Sequence, residues 1–128
     1  MKDIGAVIVT YNSGADIGGC LTAACSRVER VIVVDNASTD GTVAEIRKHA
    51  GVTLLPNAEN LGFAAAVNQG VEALQTPFIL VLNPDVVLLT GLGPLVDARN
   101  SAGVGAAAGR LVDGSGRPQS GFSIRRFP

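Results

Sequence analysis

The chain predicts an α/β fold, a mostly parallel sheet with helices on both faces. Two observations carry this: short apolar, β-branched runs alternate with segments of helical periodicity, and each run ends in a polar or glycine-rich cluster. A third is composition, since a 47% hydrophobic fraction dominated by Val, Ile, Leu and Ala suits a packed core rather than a disordered chain. With 128 residues this is about one domain.

The first strand is Ile4 to Val9, closed by the turn cluster Thr10-Tyr11-Asn12-Ser13-Gly14. Ile17, Cys20, Leu21 and Ala24 then recur at helical spacing. Arg30 to Asp35 is a second buried strand, Asn36 to Gly41 its loop, and Val43, Ile46 and Ala50 mark a helix over 41–49. Ser38, Thr39 and Asp40 are its N-cap candidates, which leaves Asp35 free for other work. Val52 to Leu55 is a shorter third strand. A third helix follows Asn60, its predicted cap, with Phe63, Val67, Gly70, Val71 and Leu74 on one side, Phe63 and Val67 being read as core. Thr76-Pro77 stops it, and Phe78 to Leu82 is a fourth buried strand. Further on, Leu92 to Asn100 reads as a helix, Val104 to Val112 as a strand, and Asp113 to Gly116 as a hairpin turn. The end, Ser123 to Pro128, reads as a cut rather than a terminus.

Right-handed crossovers place every strand's carboxyl end on one edge, so the polar clusters at 10–14, 35–41, 57–62 and 83–85 fall together. Asn83-Pro84-Asp85 is either a polar turn capping a strand or, in that company, a cation and phosphate site built on Asp85. Asp35 can accept from a nucleobase imide or a ribose hydroxyl. Gly62 allows close backbone approach at a helix start suited to an anion, and Asn68 is polar on an otherwise small, apolar helix. Tyr11, the only Tyr, either packs on a flat base or lies under its own loop.

Much is excluded. A formal charge of −1 and the scarcity of aromatics argue against a nucleic-acid partner. No stretch approaches a membrane span. No glycine-rich phosphate loop follows the first strand, and no metal-ligating Cys/His spacing exists. His49, the only His, follows Arg47 and Lys48 at a helix end, where positive charge is favourable. Cys20 and Cys25 face different sides of a helix and are read as reduced, buried thiols of a cytoplasmic protein.

Ile8 to Asn12, Val33 to Thr42, Asn60-Leu-Gly-Phe63 and Asn83-Pro84-Asp85 together resemble the family 2 glycosyltransferases, from residue 4 to about 125. The Asn-Pro-Asp form looks most like the rhamnosyltransferase-type branch, whose donor is usually dTDP-rhamnose. The resemblance implies a GT-A fold: a Rossmann-like, three-layer α/β/α nucleotide-diphospho-sugar transferase domain over residues 1–128. It implies an inverting transfer, as in cell-wall polysaccharide biosynthesis, from a dTDP or UDP sugar to a hydroxyl of a saccharide or lipid-linked acceptor. Thr10, Tyr11 and Asp35 would hold the nucleoside, and Gly62 and Asn68 the nucleotide-sugar pocket. Asn12, Asn36, Ser38 and Asn83 complete the donor set, and Asp85 matches the family's metal carboxylate for Mg²⁺ or Mn²⁺. Asn83 replaces the first Asp of the D-x-D motif, and Ala66 stands where many relatives carry Gly.

The catalytic base is expected in an acceptor half beyond Pro128, since neither Asp97 nor Asp113 sits in the family's base motif. The chain is therefore read as a donor-binding part, cytoplasmic and, in the full enzyme, peripheral to the inner face of the membrane. Apolar surface exposed at such a cut would allow a homo-dimer. The rival readings are a non-catalytic nucleotide-sugar sensor or partner subunit and, from another class, a nucleotidyltransferase, which usually carries basic residues after its first strand.

Overall fold

A computed structural model describes residues 3–119. The chain forms two compact units, Met1–Leu92 and Gly93–Pro128. In the first, the elements run β1 (Ile4–Thr10), α1 (Ile17–Cys25), β2 (Arg30–Asp35), α2 (Thr42–Ile46), β3 (Val52–Pro56), α3 (Phe63–Ala73) and β4 (Phe78–Leu82). All strand pairings are parallel and the sheet order is β3-β2-β1-β4. The first three strands step outward in one direction. The connection through α3 then returns the chain to the far side of β1.

Helix positions follow from this path. α1 packs on α2, whereas α3 lies over β1 and β2. Right-handed crossovers put the first two helices on one face and α3 on the other. Val7, Ile32, Val34, Ala66 and Leu74 form the core under α3. On the other face Ile17, Leu21 and Ala24, one stripe of α1, are buried with Ile8 and Ile46. Contact on the α3 side is closest at Gly70, where a Cβ would sit 2.4 Å from Val7 Cγ1. Any larger residue would push the helix off the sheet.

The structure differs from the sequence reading in four elements. β4 is not a buried strand: Ile79 and Val81 are 42% and 45% exposed. Their register partners are Gly5 and Val7, so they share the α3 face, but α3 covers β1 and β2 and leaves that side of the edge strand open. α2 stops at Ile46 rather than running to residue 49, because Lys48 N donates to Glu45 O and His49 N to Ile46 O. These tighter bonds turn the chain toward Val52. Cys25 is exposed, while Cys20 is buried as expected, and both are unpaired thiols.

The fourth difference lies in the second unit, which holds α4 (Gly93–Arg99), close to the predicted helix. The predicted strand over 104–112 is irregular apart from one antiparallel bridge between Val112 and Pro118. Its Gly/Ala-rich centre offers few side chains to pack on a neighbour. The turn between the bridge partners forms as read: Asp113 Oδ1 accepts from Ser115 N, Ser115 Oγ and Arg117 N. Those bonds, the Ser115 hydroxyl first, hold its carboxyl below the usual range.

Candidate active site

The sheet order changes direction between β1 and β4, and a crevice at the carboxyl ends beside such a switch point is where open α/β sheets bind ligands. A cleft of about 390 Å³ opens there. Val9, Tyr11 and Ser13 line it from β1 and its loop, Asn36 from the end of β2, and Asn60, Gly62 and Phe63 from the approach to α3. Asn83 and Pro84 close it from β4. All four polar clusters thus meet, and every side chain in the lining is uncharged.

Behind the lining lies a buried polar frame. Asp35, only 2% exposed, accepts from Thr10 Oγ1 at 2.7 Å, Ser38 Oγ at 2.6 Å and Ser38 N at 2.9 Å. The expectation that caps at 38–40 leave Asp35 free is therefore overturned. Ser38 binds Asp35 itself, and the N-cap of α2 is Gly41, which makes no side-chain cap bond. Of the four lone-pair positions on a carboxylate, about one remains, on Oδ2.

Asn36 is equally engaged. Its Nδ2 donates to Gly62 O, and its Oδ1 accepts from Asn57 Nδ2 at 3.0 Å and Leu61 N at 3.3 Å. Asn57 and Gln69 exchange two amide bonds, at 2.8 and 2.9 Å, tying this loop to α3. Ser13, Asp40 and Asn57 lie in the polar clusters expected at this edge but were not singled out as site-building residues, and Thr42 and Gln69 lie outside those clusters.

Other candidates fall on the rim or outside it. Tyr11 is 56% exposed, so it does not lie under its loop. Phe63, read as core, is 55% exposed in the cleft, because the side of α3 facing the sheet begins only at Ala66. Asn60 does not cap α3. The cap residue is Gly62, at φ 84° where a side chain is strained, and Asn60 Oδ1 accepts from Gly62 N instead. Asn68 is exposed, two residues from the buried Ala66 and Gly70 and so on the outer face of α3, apart from the cleft lining.

Asp85 is exposed just beyond the lining. Beneath it the Cys20 thiol donates to Asn83 O at 3.6 Å. Burial first, then the negative charge of Asp85 and that of Cys25, push this thiol up to about 11, so it stays protonated. Burial alone also raises Cys25. Among the described residues no three His, Cys, Asp or Glu side chains gather into a metal cage. The oxygen donors of Asp85 and Asn83 nevertheless suit a hard cation of the kind held by one or two carboxylates plus substrate phosphates.

A family model described as glycosyl transferase family 2 matches residues 6–125. The chain is 33% identical over 141 aligned residues to the N-acetylglucosaminyl-diphospho-decaprenol L-rhamnosyltransferase of Mycobacterium tuberculosis, covering 95% of this chain and 45% of that protein. It therefore spans under half the length of this curated relative. Among solved structures it resembles a Pyrobaculum calidifontis mannosyltransferase in complex with GDP-Man and Mn²⁺, with TM-score 0.70 and 23% identity over 78% of this chain and 33% of that one. It also resembles Mycobacterium tuberculosis glucosyl-3-phosphoglycerate synthase with UDP, with TM-score 0.57 and 20% identity over 66% and 34% of the two chains. At these identities the structural likeness concerns the fold, which is the expected GT-A type.

Proposed function

The chain belongs to glycosyl transferase family 2, its rhamnosyltransferase-like branch, and we propose that the cleft is the donor half of an inverting transferase's active site. One observation carries the proposal: four loops converge on an uncharged, aromatic-flanked cleft at the sheet's switch point, with an exposed carboxylate, Asp85, at its border. Such a cleft suits a nucleoside diphosphate whose charge is offset at one end.

In this reading Tyr11 packs on the base. Asp35, with one acceptor position left, takes a single N–H such as a pyrimidine imide. The backbone at Gly62 lets the diphosphate approach. Asp85 and Asn83 would hold Mg²⁺ or Mn²⁺, which when bound offsets charge on the departing nucleoside diphosphate. The acceptor oxygen bonds to the anomeric carbon as the bond from that carbon to the diphosphate breaks, and the hydroxyl proton passes to a base. No carboxylate lines the cleft, so we place the base outside the residues that build it. The rhamnosyltransferase relative supports transfer of a deoxyhexose to a lipid-linked acceptor, and we take the donor to be of dTDP or UDP type.

Isothermal titration of dTDP, UDP and GDP, with and without Mn²⁺, tests this. Saturable binding of a pyrimidine nucleotide, strengthened by Mn²⁺, is expected. Tyr11→Ala should weaken it by roughly 1–3 kcal/mol, the usual worth of a base–aromatic stack. Tyr11 is exposed, so its loss leaves the core intact. Absence of binding with Mn²⁺ present, or affinity unchanged in Tyr11→Ala, would overturn the proposal.

A further inference from the structure

Three consecutive backbone N–H groups of the loop after β1 donate to side chains of the loop after β2 and of the first residue of α2. Asn12 N reaches Ser38 Oγ at 2.8 Å, Ser13 N reaches Thr42 Oγ1 at 2.8 Å and Gly14 N reaches Asp40 Oδ2 at 3.1 Å. Two bonds run the other way, Thr39 N and Thr39 Oγ1 donating to Asn12 Oδ1 at 2.9 and 3.5 Å. The Thr42 hydroxyl donates to Asp40 Oδ1. Its proton is thus committed to the carboxylate, and its lone pairs are turned to the Ser13 N–H. Asp40 Oδ1 also accepts from Thr42 N at 2.9 Å.

This arrangement exceeds what the short helix α2 needs at its start. Its other consequence is at the cleft, since Tyr11 immediately precedes the three clamped residues. Asn12 holds φ 49°, a left-handed conformation that Asn adopts more readily than most residues and that its bonds to Ser38 and Thr39 hold in place. The far end of the loop is fastened separately, with Asp16 N and Ile17 N both donating to Ser13 O. The clamp therefore governs the segment between β1 and α1 that presents Tyr11 and Ser13 to the cleft.

We propose that Asp40 and Thr42 are positioning residues for donor binding, acting through the 11–14 loop to hold Tyr11 where a nucleoside packs on it. The proposal rests on the donor-binding reading of the cleft. Tyr11 is the only tyrosine and there is no tryptophan, so intrinsic emission anisotropy reports that one side chain.

The test compares the wild type with Thr42→Val, which keeps the buried shape but loses both bonds, and Thr42→Ser, which keeps the hydroxyl. Asp40→Asn is the third variant: its amide sets a donor against either Gly14 N–H or Thr42 N–H, on an exposed residue outside the core. Circular dichroism selects a temperature at which each protein is folded. There, ligand-free Tyr11 anisotropy and UDP affinity with Mn²⁺ are measured. Thr42→Val and Asp40→Asn should lower the anisotropy and weaken UDP by about tenfold, or 1.4 kcal/mol, with Thr42→Ser restoring both.

Folded variants that keep wild-type anisotropy and affinity would overturn the proposal, whatever their melting temperatures. If Thr42→Val fails to fold, Asp40→Asn decides alone. Wild-type protein that binds neither dTDP nor UDP would sink the donor reading instead, and the anisotropy would still judge the clamp; if only dTDP binds, it replaces UDP in the comparison.

Discussion

Replacing Gly70 by alanine separates two opposed forces. In an exposed helix interior the change would stabilise by about 1 kcal/mol through helix propensity alone. Here the new methyl would lie 2.4 Å from Val7 Cγ1, 3.0 Å from Cγ2 and 3.3 Å from Cβ. Val7 is fully buried in β1 between its register partners Ile32 and Val81. Its β-branched side chain has no flexible end to move aside. α3 must retreat or the strand must bend, at the upper end of the roughly 1–3 kcal/mol that overpacking costs. Net destabilisation is then about 2 kcal/mol, a fall in melting temperature of about 8 °C for a domain near 100 residues. Thermal melts followed by far-ultraviolet circular dichroism measure it, with Val7→Ala as partner in a double-mutant cycle. The double variant should be more stable than the sum of the singles, because the second change vacates the space the first needs. A rise in melting temperature for Gly70→Ala would refute the packing argument.

Ala37→Gly should gain up to about 1 kcal/mol, because Ala37 sits at φ 62° and a left-handed L-residue costs roughly 1–2 kcal/mol against a smaller unfolded-state penalty for glycine. A shift of the urea midpoint to lower concentration would contradict this. The Asp40 carboxyl is held below its ordinary value of 3.8, chiefly by the Thr42 hydroxyl and then by the Thr42 backbone N–H. A lowered folded-state pKa means the stabilisation is complete above 3.8 and fades as pH falls through the lower folded value. The stability difference between wild type and Asp40→Asn, from denaturant titrations at stepped pH, should be flat above pH 4 and shrink below it. A difference that grows on acidification would reverse the sign and exclude this source.

The interior of the sheet was legible in the sequence because Ile4 to Val9 and Val31 to Val34 are continuous apolar runs that only a strand covered on both faces can bury. The edge was not. Ile79 and Val81 are chemically indistinguishable from Ile32 and Val33, and their exposure depends on where α3 comes to rest, a fact of topology rather than of local pattern. α2 was overestimated for a related reason. The apolar spacing of Val43, Ile46 and Ala50 continues past Ile46, where the bonds Lys48 N to Glu45 O and His49 N to Ile46 O turn the chain toward β3. Over 104–112 a small, apolar composition suggested a strand, yet few of those side chains have anything to pack with.

At the cleft the sequence located the polar residues but not how they divide between one another and a ligand. A buried polar group must be paired, so the bonds that Asp35, Asn36 and Thr42 make among neighbouring loops are obligatory once those loops fold, and among the described residues no buried side-chain polar atom is left without a partner. In the proposed donor reading a ligand meets the remainder: the faces of Tyr11 and Phe63, Asn83 and the backbone at Gly62, with the last lone pair of Asp35 behind the lining. Two classes of variant should therefore separate in any binding experiment on this chain. Losses at Tyr11 or Asn83 act on affinity with the fold unchanged. Losses at Thr42 reach the ligand only by moving loops, and losses at Asp35 or Asn36 also unpair neighbouring loops, so all three carry a stability cost. A change at Asp35 alone cannot assign it a ligand role, since the same substitution unpairs Thr10 and Ser38.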